Sequence, residues 1–198
     1  IGIWQEDDDI ANSWMPDAQP GDIKVEDVNG DGQLDEEDQV IISQDPDWRG
    51  TFSLNVDYKG LDFAMYVMTV QGVTRENVYL NNYNNGGTLR GDRNQIAVDY
   101  WLPENPTGNF PRPTEGNDPD FATTIGFQDA SYVRLQNVTL GYTLPDTFAS
   151  KINLSRARIY LTGNNLITKT DYLSYSPEVN PQSYPEAAVV VMGLQIDF

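Results

Sequence analysis

The sequence predicts a mainly β protein whose antiparallel strands are of the kind that cross a membrane as staves of a larger barrel. Three observations lead there. Apolar residues recur with period two wherever a period is clear. Long polar loops alternate with short connections along the chain. No apolar run reaches the ~20 residues that a membrane helix needs, whereas a membrane strand needs only ~9–11 and alternates, so hydropathy averages conceal it.

Residues 1–50 read as a loop, with Pro16, Pro20, Gly21, Gly30, Gly32 and a dense run of aspartates. Residues 51–72 read as a β-hairpin. Phe52, Leu54, Val56 and Tyr58 share one face, Lys59-Gly60 makes the turn, and Leu61 to Val70 is apolar on both faces. Residues 73–129 form a long polar region rich in Asn, Gly, Pro and Asp, a length expected of a functional surface loop. Residues 130–198 hold three further strands. In the first, Ser131 to Leu144, the apolar parity shifts between Leu135 and Val138, which suggests a bulge. The second, Arg156 to Leu166, sets Ala157, Ile159 and Leu161 against Arg156, Arg158 and Tyr160. The last sets Val190, Met192, Leu194, Ile196 and Phe198 against Val191, Gly193, Gln195 and Asp197.

With long loops at 1–50, 73–129 and 168–186 and short connections at 59–60 and 145–155, the loops obey the asymmetry of an outer-membrane barrel, long outside and short on the periplasmic side. Five strands are too few, since the smallest bacterial barrels have about 8. On this reading the chain is one portion of a larger wall, and the remainder of the barrel is its first partner. Phe52, Leu54, Val56, Ala157, Ile159, Leu161, Met192, Leu194 and Ile196 then face outer-membrane lipid. Arg156, Arg158, Tyr160, Gln195 and Asp197 face inward. The alternative is a soluble, calcium-stabilised β-sandwich that binds carbohydrate or a surface protein.

Composition narrows the function. Thirty acidic residues oppose twelve basic ones, a net charge of −18. Such a chain repels phosphate backbones, so no nucleic-acid partner is expected. With neither cysteine nor histidine, thiolate metal sites, cysteine nucleophiles and histidine bases are excluded. No signal peptide opens the chain, so an export signal would lie outside it or have been removed.

Several stretches, in order, resemble SusC/RagA-type TonB-dependent transporters. They are Ile3-Trp4-Gln5, Pro20-Gly21-Asp22-Ile23-Lys24, Tyr58-Lys59-Gly60-Leu61-Asp62-Phe63, Tyr100-Trp101-Leu102-Pro103-Glu104-Asn105-Pro106 and Pro111-Arg112-Pro113. The densest are Ser131 to Tyr142 and Arg158 to Leu166, and the terminal Phe198 completes them. The resemblance implies the C-terminal portion of a plugged transmembrane barrel of about 22 strands with long extracellular loops. It also implies energy coupling through TonB by way of an N-terminal part and plug, and a SusD-like surface lipoprotein as lid. The cargo would be oligosaccharides or peptides taken up across the bacterial outer membrane. Phe198 resembles the assembly signal that the barrel-assembly machinery reads.

Asp27-Val28-Asn29-Gly30-Asp31-Gly32-Gln33-Leu34-Asp35-Glu36-Glu37-Asp38 follows a calcium-loop pattern. Asp27, Asn29, Asp31, Asp35 and Asp38 would offer side-chain oxygens, Gln33 its backbone carbonyl, and Gly30 the sharp turn. A hard cation needs six to eight oxygens at ~2.3–2.6 Å, which that spacing supplies. Asp38 stands where glutamate is usual, which shortens the reach of the twelfth ligand. Structural Ca2+ is therefore the expected cofactor.

The remaining signals are weaker. Arg90-Gly91-Asp92 spells an adhesion tripeptide, and Asn137-Val138-Thr139 and Asn153-Leu154-Ser155 are sequons; none is assigned a role. No carboxylate pair stands in a pattern that would raise one pKa, so an enzyme is not expected. Trp101, Tyr100 and Phe110, with Tyr79 and Tyr83, are candidates for contact with cargo or lid, weighed against packing of the loop on itself.

Overall fold

Lys59 and Gly60 fix the first turn of the sheet. Both have positive φ, 48° and 86°, the pair that a type I′ turn requires and that gives a two-residue hairpin its right-handed twist. Tyr58 consequently pairs directly with Leu61. Gly60 also accepts the Thr143 N–H on its carbonyl at 2.7 Å. A Cβ at Gly60 would lie 2.6 Å from the Thr143 carbonyl oxygen, so the turn is also where a third strand comes closest.

The computed structural model describes residues 2–77, 99–113, 124, 126–179 and 183–198. Strands follow in the order β1 (Gly2–Ile3), β2 (Ile23–Lys24), β3 (Trp48–Tyr58), β4 (Leu61–Gln71), β5 (Thr74–Glu76), β6 (Phe127–Asp129), β7 (Tyr132–Thr143), β8 (Arg156–Thr170) and β9 (Val189–Asp197). The chain divides into two compact units, 1–43 with 75–128 and 44–74 with 129–198. The second unit holds one five-stranded antiparallel sheet in the order β3-β4-β7-β8-β9. Pairs β1-β2 and β5-β6 are separate short ribbons.

Register decides what each face of the five-stranded sheet carries, because partners across a strand pair point the same way. One row runs Val56–Phe63–Leu140–Leu161–Met192, and the next Tyr58–Leu61–Tyr142–Ile159–Leu194. Every member is apolar or aromatic. On the reverse face the rows run Asp57–Asp62–Gly141–Tyr160–Gly193 and Ser53–Tyr66–Asn137–Asn164–Val189. Leu61 to Gln71, which reads as apolar on both sides, is thereby oriented: Leu61, Phe63, Met65 and Val67 join the apolar face.

Gln136 is skipped in the pairing to both neighbours, between Tyr66 and Val67 on one side and between Asn164 and Ile167 on the other. The extra residue returns Leu135 to the face of Val138 across an odd spacing, as the parity shift suggested. Asn165, with φ of 52°, absorbs the matching irregularity on β8. Downstream, residues 145–155 turn through one helical turn (Asp146–Ala149) and a 3-10 turn, closing at Asn153 with φ of 57°. Ala157 belongs to the apolar face by register but is only 4 % exposed. The helical turn packs against β8, and Ala157 is the second residue of that strand, next to the connection.

Among the described residues the sheet unit has one buried apolar cluster: Val70, Val73, Ala130, Tyr132 and Tyr172, with Met68 against it. It lies at the end of the sheet away from the Lys59-Gly60 turn. Substituting Gly60→Ala should therefore destabilise the protein by more than about 1 kcal/mol, through both the positive φ and the Thr143 contact. Lys59→Asn, which suits the first turn position, should be neutral or better. Thermal unfolding of the full-length protein, followed by circular dichroism, distinguishes the two.

Candidate functional site

The apolar face is exposed: Val56 is 47 %, Leu140 48 %, Leu161 48 % and Met192 74 % accessible. A contiguous apolar surface spanning five strands is far larger than a water-soluble protein ordinarily presents. Aromatics bracket it. Trp48 stands at one end of β3, and Tyr58 and Tyr142 stand at the other. Trp48 and Tyr58 are ten steps apart on β3, roughly 34 Å along the strand and on the order of 25 Å in height at a barrel tilt of about 40°. That is the height of an apolar membrane band between aromatic girdles.

The reverse face is built for polar contacts. Arg158 donates from Nε to Asp62 at 2.9 Å and from Nη2 at 2.5 Å, reaching from β8 across β7 to β4. Gly141 makes this possible. A Cβ there would lie 2.5 Å from both the guanidinium and the carboxylate. In the same manner, Tyr160 lies over Gly193, where any Cβ would collide with its ring. Further up, Asn137 donates to Asn164 at 2.8 Å, and the hydroxyls of Thr139 and Thr162 are 2.9 Å apart. Asp57, Asp62, Arg156 and Arg158 also line a shallow cavity of about 390 Å3 beside the Lys59-Gly60 turn.

Near the opposite end of this face sits Arg134, 5 % exposed. Its Nη1 donates to Glu178 and, at 2.8 Å, to Glu186, while Nε donates to Thr168 Oγ1 at 2.9 Å. The Tyr132 hydroxyl donates to Glu178 as well, and the guanidinium stands 5.1 Å from the Tyr132 ring centroid. Sequence reasoning missed this cluster. Its one legible signal is a cation inside the strand-like run Ser131 to Leu144. Glu178 and Glu186 lie in a polar loop and carry no signal of their own.

In the first unit, Asp27 to Asp38 closes into a loop. Gly30 and Gly32 take φ of 76° and 83°. Asp27 accepts the N–H groups of Gly30 (2.7 Å), Asp31 (3.2 Å) and Gly32 (2.8 Å). Asn29 accepts the Asp31 N–H, and Asp31 that of Gln33. Asp38 accepts Val28 N–H at 2.7 Å and Asp35 N–H at 2.9 Å, drawing the two ends of the loop together. Asp35 and Asp38 cap each other across a 3-10 turn at Glu36–Asp38. Leu34 is half-buried. Gln33 is exposed, and its side chain takes no part in these bonds. Among the described residues, no group of three carboxylates is disposed to hold a metal ion; these oxygens are turned to backbone donors. The Asp35 N–H holds the Asp38 carboxyl below the usual carboxylate range; desolvation opposes it, and the Val28 and Asn29 N–H groups add smaller lowering effects.

Segments far apart in sequence meet in this unit. Trp4 exchanges backbone bonds with Gly21 and Asp22, and Lys24 lies 4.1 Å over its ring. Gly21, with φ of 89°, admits the Trp101 ring and Arg112, either of which a Cβ would strike. Trp101 Nε1 donates to Gln5 Oε1 at 2.9 Å, and Arg112 Nε donates to Asp22 at 2.8 Å. Trp101 is 4 % exposed, so its indole anchors the unit and offers cargo almost no surface. Tyr100 and Phe110 form a parallel bridge and are half-buried. Tyr79, Tyr83 and the Arg90-Gly91-Asp92 tripeptide lie outside the described residues.

No protein-family profile matches the chain. TonB-dependent receptor P26 of Formosa agariphila is 32 % identical over 222 residues, covering 100 % of this chain and 22 % of the relative. TonB-dependent receptor P3 of the same organism is 30 % identical, covering 92 % of this chain and 19 % of its own length. The solved structure of the RagAB peptide transporter superposes with a TM-score of 0.68 at 29 % identity, over 84 % of this chain and 19 % of that one. The chain thus spans about a fifth of the length of the relatives it matches.

The loop's acid sensitivity follows from Asp38. Its folded pKa is depressed, so its contribution is present above the unfolded value of 3.8 and is lost as pH falls through the lower folded value. Exchange protection at the Val28 and Asp35 amides should vanish in that window. In Asp38→Asn it should be weak at every pH.

Proposed function

Since this chain belongs to the TonB-dependent receptors, we propose that it forms wall and mouth loops of an outer-membrane importer. One observation carries the reading: a single sheet whose apolar face carries exposed residues on all five strands and whose other face is polar and ion-paired. Lipid is the solvent that suits the first face, and a water-filled or plug-filled lumen suits the second. A sandwich would need a second sheet over the apolar face. The two ribbons β1-β2 and β5-β6, of two or three residues per strand, are too short to supply one.

On this reading β3 and β9 pair with further strands of the same barrel, and the long loops between strand pairs are extracellular. Import draws energy from TonB through parts outside this chain. A SusD-like surface lipoprotein covers the mouth, a pairing supported by the likeness to RagAB. The cargo is an oligosaccharide or a peptide; the RagAB likeness favours a peptide. Phe198, 95 % exposed at the end of β9, serves as the signal that the assembly machinery reads. The chain contributes no catalysis.

Loop 27–38 holds a structural calcium ion in this reading. The support is its closed backbone, glycine placement and charge: of the first 43 residues, 13 are acidic and only Lys24 is basic. Asp27, Asn29, Asp31, Asp35 and Asp38 turn their oxygens from backbone donors to the ion, and Gln33 adds its carbonyl. A cation relieves carboxylate repulsion that hydrogen bonds leave in place. Calorimetric titration of the purified full-length receptor should show a calcium site that Asp27→Ala with Asp31→Ala removes. Heat evolved equally by wild type and variant would refute the assignment.

The wall assignment is tested by two adjacent residues of β9. Leu194→Arg puts a cation against lipid, at a cost that reaches about 2–4 kcal/mol at mid-depth and is smaller toward the interface, and should impair assembly into the outer membrane. Gln195→Arg points inward and should assemble normally. Equal tolerance at both positions contradicts the reading.

A further inference from the structure

Behind β8 the chain does not leave the sheet but folds back over its polar face. Tyr172 and Ser176 are each 4 % exposed, and Pro177 is fully buried. Tyr172 packs into the small core of Val70, Val73, Ala130 and Tyr132. Its N–H donates to Thr170 Oγ1, whose hydroxyl donates to the Ser131 carbonyl. Two residues after Ser176, Glu178 reaches Arg134. Glu186 reaches the same guanidinium from the stretch that leads into β9. One buried cation on β7 therefore ties down both limbs of the segment between β8 and β9.

We propose that residues 171–179 are a fixed strap, clasped by Arg134 across the inner face of the wall, which narrows the passage at that end of the barrel and stays in place during transport. The proposal rests on the reading of the polar face as the lumen. A guanidinium that is 94 % shielded from water is stable only with its carboxylate partners, and those carboxylates repel each other without it. Clasp and strap thus depend on each other. Tyr132 tightens the arrangement by donating to Glu178 as well, so the first limb is held from two side chains of one strand. A mobile gate of similar length would be held by exposed contacts with low local stability; Tyr172, Ser176 and Pro177 are buried instead.

The test uses the full-length receptor in a cysteine-free background, with Ser176→Cys as reporter and a water-soluble maleimide as probe. Labelling should be slow in this parent and much slower than in a Tyr175→Cys control, whose site is 79 % exposed. Arg134→Gln should raise the Ser176→Cys rate by at least about tenfold, and Arg134→Lys by less, because lysine keeps the charge without the fork. Should Arg134→Gln fail to assemble, Glu178→Gln with Glu186→Gln releases the strap from its own side and should give the same acceleration. An unchanged rate in a folded variant overturns the clasp, and a parent rate equal to the Tyr175→Cys control overturns the strap. Neither result depends on which face meets lipid, which the Leu194 and Gln195 substitutions decide separately.

Discussion

Inside a bilayer no water is available to the backbone, so each N–H and C=O of a crossing strand has to find its partner in the sheet. Much of this molecule follows from that constraint. Five strands pair in strict succession, joined by a two-residue turn at Lys59-Gly60 and a short helical connection at 145–155. The Gln136 bulge is tolerated because it preserves pairing on both sides while correcting side-chain parity. The outer edges of β3 and β9 carry backbone groups that this sheet does not satisfy, and in lipid such edges require neighbouring strands.

With backbone bonds committed, the two faces divide the remaining chemistry. The lipid side needs only apolar bulk, and its rows supply it. The inner side has to place large polar side chains close together, and glycine creates the room. Gly141 lets Arg158 reach Asp62 across an intervening strand, and Gly193 seats the Tyr160 ring. Gly21 performs the same service in the loop unit by admitting Trp101 and Arg112. Close approach, more than turn geometry, is the common use of these three positions, although Gly21 also has positive φ.

Much of the wall was legible in the sequence, since period-two alternation in β3, β8 and β9 states which residues share a face. Leu61 to Gln71 was not, because Ala64 and Met68 on its inner face are as apolar as its outer residues; the register with β3 orients it. The spacing of Asp27 to Asp38 reads as a calcium loop; the backbone closes there, with its carboxylates accepting from backbone N–H groups. The Arg134 cluster and the Trp4, Gly21, Trp101 and Arg112 assembly stayed hidden. Arg134 meets Glu178 across 44 residues and Glu186 across 52, Asp22 meets Arg112 across 90 and Gln5 meets Trp101 across 96, and nothing local records such meetings. Trp101 illustrates the limit: the sequence leaves a loop tryptophan between contact with cargo and packing of the loop on itself, and here the indole is buried.

The central claim is that one sheet separates lipid from lumen residue by residue. It is tested most directly by single fluorophores placed in turn from residue 189 to residue 197 of the full-length receptor in bilayers containing brominated lipid. Quenching should alternate with period two, strong at positions 190, 192, 194 and 196 and weak at 191, 193 and 195. Uniform quenching along the strand, or the opposite phase, would contradict the account.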